Sequence, residues 1–146
     1  MRAASPFVMQ QHGSFTIDTK GRTLEIIAHA AWNEQTSMQF KHAYMALAQD
    51  LSSAPWACLI NLLDWELGTG EILQVGQQLN AWSFEHNQRY SAIICGTSLH
   101  RQLIEKIQEP TRSIEHQYFT DVISAQNWLR SLGLYSKSLE LHGGGK

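Results

Sequence analysis

Between residues 13 and 30 apolar and polar side chains alternate in two runs, with Phe15 and Ile17 on one face of the first and Leu24 and Ile26 on one face of the second. A period of two marks a half-buried strand, and the Lys20-Gly21 junction between the runs predicts a β-hairpin. From Asn33 the period lengthens. Met38, Tyr44, Leu47, Ala48 and Leu51 recur at helical spacing behind Asn33 as N-cap, with Glu34 in the first turn and Ser52, Ser53 and Pro55 as breakers.

The run WACLINLL, residues 56–63, is too continuously apolar for a strand with one wet face, so it predicts a central strand covered on both sides. It stops at Asp64. A short loop carrying Trp65 and Gly68-Thr69-Gly70 is expected next, then a helix from about Glu71 to Asn87 with Ile72, Leu79 and Trp82 inward. YSAIICG predicts a second buried strand, and TSLHRQLIEKIQ a helix with Leu99, Leu103, Ile104 and Ile107 inward, stopped before Pro110. SIEHQYF alternates like an exposed edge strand, and DVISAQNWLRSLG predicts a last helix closed by Gly133.

The order β-β-α-β-α-β-α-β-α implies an α/β domain. Its sheet is expected to have four to five mostly parallel strands with right-handed crossovers, an antiparallel N-terminal hairpin and about four helices. The expected domain spans residues 12–133, after an extension at 1–11 and before a tail at 134–146 whose three consecutive glycines suggest at least partial flexibility.

Composition narrows the function. A chain of 146 residues suits one core, and a net charge of −2 with no run of Lys or Arg argues against nucleic acid. Only 16% of residues are charged, which predicts that some surface is covered by a partner or ligand, with self-association of Trp82 and Phe84 or the hairpin edge as one form, a small homodimer. Cys58 and Cys95 sit in apolar strands and are expected to be buried free thiols, as in a reducing cytosol. With no apolar run of membrane-spanning length, a soluble cytoplasmic protein is expected.

In a parallel sheet the carboxyl ends of the strands share one rim, where ligands of α/β domains usually bind. The predicted strand ends place Trp32, Asn33, Asp64, Trp65, Thr69, Thr97, Ser98 and Asp121 on or near it. Trp32 and Trp65, expected in loops, are the recognition candidates. Asn33, Thr69, Thr97 and Asp121 each also suit a helix cap. Thr69 between glycines could greet an anion at a helix start, but Glu66 and Glu71 would repel phosphate and the Walker ending is missing. Gly96-Thr97-Ser98-Leu99-His100 only partly matches a nucleophile elbow, since the motif ends in His rather than Gly and residues two apart on a helix do not face each other. The histidines and carboxylates show no ligand-pair spacing, so neither a metal nor a cofactor is expected.

The opening hairpin, the strand leading to Asp64, and the closing segment with Phe119, Ala125 and Trp128-Leu129 together resemble the SpoIIAA-like members of the STAS superfamily, over residues 12–133. That resemblance implies a small α/β module that works by binding proteins and carries no catalytic machinery. Regulated antagonists of this kind place a phosphorylatable Ser or Thr directly after an Asp at the start of the second helix. Here Asp64 and the candidate acceptor Thr69 are separated by four residues. The expectation is therefore a non-enzymatic regulatory module acting through protein–protein contact. Its alternative is a carrier or sensor of a small apolar ligand or lipid, held between helices and sheet under Trp32 and Trp65.

Overall fold

The computed structural model describes residues 13–136 except Arg112. The expected extension at 1–11 and the tail beyond 136 lie outside the described residues. Five strands form one sheet in the order β1-β2-β3-β4-β5: β1 (Ser14–Lys20), β2 (Thr23–Trp32), β3 (Trp56–Gly68), β4 (Gln88–Ile94) and β5 (Glu115–Phe119). The first pair is antiparallel and the other three are parallel. The helices are α1 (Glu34–Gln49), α2 (Glu71–Glu85), α3 (Ser98–Gln108) and α4 (Val122–Ser131).

Strand order follows chain order from β2 to β5, so successive right-handed crossovers carry α1, α2 and α3 to the same face of the sheet. There Leu24, Ile26 and Cys58 pack against Tyr44 and Ala48 of α1 and Val75 and Leu79 of α2, and farther along the sheet Ile93 packs with Ile72 and Ile104. The opposite face carries α4, with Ala125 and Leu129 on Ala57, Leu59, Ala92 and Ile94, and Tyr135 in the same cluster. Trp82 and Trp128, expected in the core, are half-buried at its margins.

The hairpin turns at Gly21-Arg22, and Gly21 supplies the positive φ of +67° that a tight turn requires. Arg22 then ties three segments together. Its guanidinium donates to the carbonyls of Leu51, Ala54 and Pro55 just past α1, where helix-end carbonyls lack partners, and its amide donates to the Leu134 carbonyl at 2.8 Å. The first residues of the expected tail therefore pack on the domain: Tyr135 is buried, and its hydroxyl donates to Glu25 at 2.9 Å.

Two helical phases differ from expectation. In α1 the buried residues are Thr36, Ser37, Tyr44 and Ala48, and Met38 is exposed. In α3 the inward positions are His100, Ile104 and Gln108, leaving Leu99 56% exposed. The third correction is larger. The central strand does not end at Asp64; β3 continues to Gly68, alongside β2 only.

That continuation contains two register shifts, between the pairs Ile27↔Asn61 and His29↔Asp64, and between Ala30↔Trp65 and Trp32↔Gly68. In each, β3 spends one residue more than β2, the definition of a bulge, and Leu67 adopts a φ of +80° at the second. A bulge reverses the parity of a strand. Cys58, Ile60 and Leu62 point to the three-helix face as even positions, whereas beyond the first bulge Trp65 and Leu67 do so as odd ones. Trp65, expected in a loop, is consequently a strand residue 5% exposed, and Trp32 at the end of β2 is 4% exposed.

Candidate functional site

All four parallel strands deliver their carboxyl ends to one rim, so the residues predicted there are gathered at one end of the domain. Their environments divide them. Asp64, Thr69, Thr97, Ser98 and Asp121 are exposed, and Asn33 is half-buried. Trp32 and Trp65 are core residues, in contact as an edge-on pair with ring centroids 5.9 Å apart. The expected placement of the two tryptophans in exposed loops is thereby corrected: both are strand residues with their rings buried.

Three of the polar residues cap helices. Asn33 Oδ1 accepts from the Thr36 amide at 2.9 Å, Thr97 Oγ1 from the His100 amide at 3.1 Å, and Asp121 Oδ1 from the Ser124 amide at 2.7 Å. Each satisfies an otherwise unpaired donor of a first turn. Thr69 does not cap α2. Gly70 occupies the N-cap position and no side chain hydrogen-bonds there, while the Thr69 amide donates to the Trp32 carbonyl at 3.1 Å and latches the β3 end onto β2.

Beside this latch lies a surface cleft of about 370 Å³ between the start of α2 and α3, lined by Leu67, Thr69, Leu73, Leu99, Leu103 and Lys106 among others. Its size falls at the lower end of ordinary binding clefts. Only Thr69 of this group was read from the sequence. The leucines were missed because Leu67 sits at a bulge and Leu99 was assigned to the core face. The signal that could have found Leu99 was its place two residues after the Thr97 cap, in the first turn of α3 at the rim.

α2 and α3 approach closely at Gly76 and Ile107, which line the interior cavity rather than the cleft. A Cβ at Gly76 would lie 2.7 Å from Ile107 Cδ1 and 3.0 Å from its Cγ1 and Cγ2, so a larger residue there requires Ile107 to shift. On the far side of α3, Cys95, Thr97, Ser98, Arg101 and Tyr118 surround a second depression of about 330 Å³. The Arg101 guanidinium stacks 4.1 Å from the Tyr118 ring centroid, and its Nε pairs with Glu105 at 3.2 Å. Burial, then the nearby Glu105, push the Tyr118 hydroxyl up to about 12, and it donates to Gln108 Oε1 at 2.9 Å. Burial also raises the Cys95 thiol, with Arg101 opposing.

Cys95 is half-buried, against the expectation that both thiols are enclosed, whereas Cys58 is 1% exposed and pushed up to about 12 by burial. Ser98 and His100 do not form a nucleophile and base. Ser98 is exposed, and His100 is buried against Trp65 at 5.6 Å between ring centroids. Trp82 and Phe84, expected to take part in self-association, are half-buried: Trp82 stacks on His86 at 4.0 Å, and Arg89 lies 4.8 Å over Phe84. Among the described residues no group of three or more His, Cys, Asp or Glu could hold a metal, and no helix is long and apolar enough to cross a membrane.

No family model and no curated protein matches the chain. Solved structures do. An uncharacterized protein of the DUF3478 family with a SpoIIAA-like fold, from Shewanella loihica PV-4, is 16% identical with a TM-score of 0.65, the match covering 80% of this chain and 94% of that one. The anti-sigma factor antagonist SpoIIAA in its unphosphorylated form is 11% identical with a TM-score of 0.59, over 83% of this chain and 100% of that one. An anti-sigma factor antagonist from Mycobacterium paratuberculosis is 10% identical with a TM-score of 0.53, over 81% and 94%. Identities this low speak for architecture alone, and the architecture agrees with the resemblance carried by the hairpin, the strand through Asp64 and the Trp128-Leu129 helix: the chain has a SpoIIAA-like fold.

Proposed function

We propose that this chain is a non-catalytic regulatory module that docks a partner protein through the cleft between α2 and α3. The observation that carries the reading is Leu99, 56% exposed on the wall of a leucine-lined cleft at the strand-end rim. Isolated surface leucines need no explanation, but one that joins Leu67, Leu73 and Leu103 in a concave site does. Lys106 on the lining adds a cation, so the partner segment suited to the cleft is apolar with an acidic neighbour. Two solved structures sharing the fold bear the description anti-sigma factor antagonist, which supports a binding role over a catalytic one. Thr69, on the cleft lip and exposed, is the residue whose modification would add charge at the contact.

Quantitative affinity capture with three immobilised forms tests the reading: wild type, Leu99→Asp in the cleft, and Ile123→Asp at an exposed apolar position on α4. A protein retained by wild type and Ile123→Asp but lost from Leu99→Asp is the expected result. Partners retained equally by all three overturn it, provided thermal melts show both variants folded.

A further inference from the structure

A cavity of about 110 Å³ lies between the sheet and the three-helix face, walled by Ala28, Trp32, Phe40, Ile60, Trp65 and Ile104 among others. Native interiors pack like organic crystals and hold few voids larger than a water molecule, so a space of this size amid buried rings is an exception. No Asp, Glu, Lys or Arg lines it. A charged guest would find no counterion there.

A second observation concerns Trp65. Its indole lines the cavity, it is 5% exposed, and its Nε1–H has no acceptor among the protein atoms. The neighbouring Trp32 Nε1–H, by contrast, donates to the Ser14 carbonyl at 3.0 Å. Buried donors are nearly always paired, and an unpaired one on a residue that lines a cavity points to a guest with an acceptor. Size limits the guest further. An apolar cavity of about 150 Å³ accommodates a benzene ring, so 110 Å³ admits at most a compact ring and not an acyl chain.

We propose that this cavity binds a compact, uncharged molecule of single-ring size bearing one hydrogen-bond acceptor, which receives the Trp65 Nε1–H. The site is separate from the α2–α3 docking cleft and stands whether or not that reading holds. It narrows the expected apolar-ligand alternative, excluding lipid and adding a polar handle.

Benzene and pyridine, alike in shape and different in their acceptor, are the probes. Titrations are followed by the indole N–H signals in nuclear magnetic resonance spectra, with Trp65→Phe identifying the Trp65 signal by its loss. Both probes are expected to bind wild type saturably, with pyridine shifting the Trp65 N–H downfield. In Trp65→Phe pyridine should weaken roughly threefold to tenfold, the worth of one net hydrogen bond, while benzene, which makes no such bond, should not weaken, since phenylalanine keeps an apolar wall and only enlarges the space. Ala28→Leu, which fills the cavity, should abolish binding of both, and Leu99→Asp should leave both unchanged. The proposal is overturned if neither probe saturates, if pyridine binds Trp65→Phe as well as wild type, or if a folded Ala28→Leu still binds. Should Ala28→Leu not fold, the Trp65→Phe ratio decides alone.

Discussion

The two halves of β3 obey different rules. From Trp56 to Asn61 the strand has β2 on one side and β4 on the other, and apart from one shift at its first residue the register with β4 is unbroken. Its side chains alternate between two helix-covered faces, with Cys58 and Ile60 toward α1 and α2 and Ala57 and Leu59 toward α4. From Leu62 to Gly68 the strand pairs with β2 alone, through two bulges. The first half is scaffold. The second half, freed from one neighbour, delivers Trp65 to the cavity wall and Leu67, Gly68 and Thr69 to the cleft. Bulges recur where a side chain must be re-aimed at a binding site, and here both candidate sites depend on the same pair.

The largest expected effects test whether the bulged half is as well packed as the regular half. Trp56 is fully buried, with its Nε1–H donating to the His86 carbonyl at 2.6 Å, and Trp65 is buried but without an acceptor. Trp56→Ala and Trp65→Ala should each cost about 3–5 kcal/mol in urea unfolding, the range for a buried tryptophan. A Trp65→Ala cost near 0.5 kcal/mol, the scale of a surface substitution, would return this residue to the loop that its sequence context suggests.

The next effect belongs to the regular half alone. Burial raises the Cys58 thiol from 9.0 to about 12, and Tyr44, which shares hydrogen bonds with Cys58 and Ser83, is raised well above its usual value by the same cause. A folded pKa above the unfolded one means the native state holds its proton longer. The stabilisation from the neutral thiol is therefore complete below pH 9 and is lost as pH climbs toward 12. The slope is about 1.4 kcal/mol per pH unit for one such group. Unfolding curves between pH 8 and 10.5 should show this decline in wild type and a shallower one in Cys58→Ser, while Cys95, half-buried at the rim, reacts with a thiol reagent before Cys58.

What the amino-acid sequence revealed, and what it hid, follow the same division. The hairpin, the four helices and the parallel strands were legible because each rests on local periodicity and caps: Asn33, Thr97 and Asp121 each precede a helix that starts where expected. The rim was legible too, since strand ends follow from topology. The cleft and the cavity were not. Whether Trp65 points in or out depends on an extra residue between Asn61 and Asp64, and a bulge exists only relative to a partner strand, here Ile27 to His29 of β2. Period-two reading carried past that point assigns every later side chain to the wrong face. Leu99 failed for a different reason: the buried stripe of α3 runs through His100, Ile104 and Gln108, so the apolar pattern that put Leu99 inward misjudges the phase of the first turn.

The smallest effects concern the caps, and Thr69 among them. Asn33→Ala, Thr97→Ala and Asp121→Ala should each cost about 1 kcal/mol, because each removes the acceptor of a helix-start amide. Thr69→Ala should cost only a few tenths of a kcal/mol, for the latch it makes is through backbone atoms, its amide to the Trp32 carbonyl and its own carbonyl from the Ile72 amide at 3.0 Å. Alanine keeps both. Thr69→Pro removes the first donor and should cost more, about 1 kcal/mol for a lost net hydrogen bond at the strand end. Thermal melts of the Ala and Pro variants therefore separate backbone from side chain. A Thr69→Ala loss equal to that of Thr97→Ala would make Thr69 a cap after all, whereas a neutral Thr69→Ala leaves its hydroxyl free for the partner or for modification at the lip of the cleft.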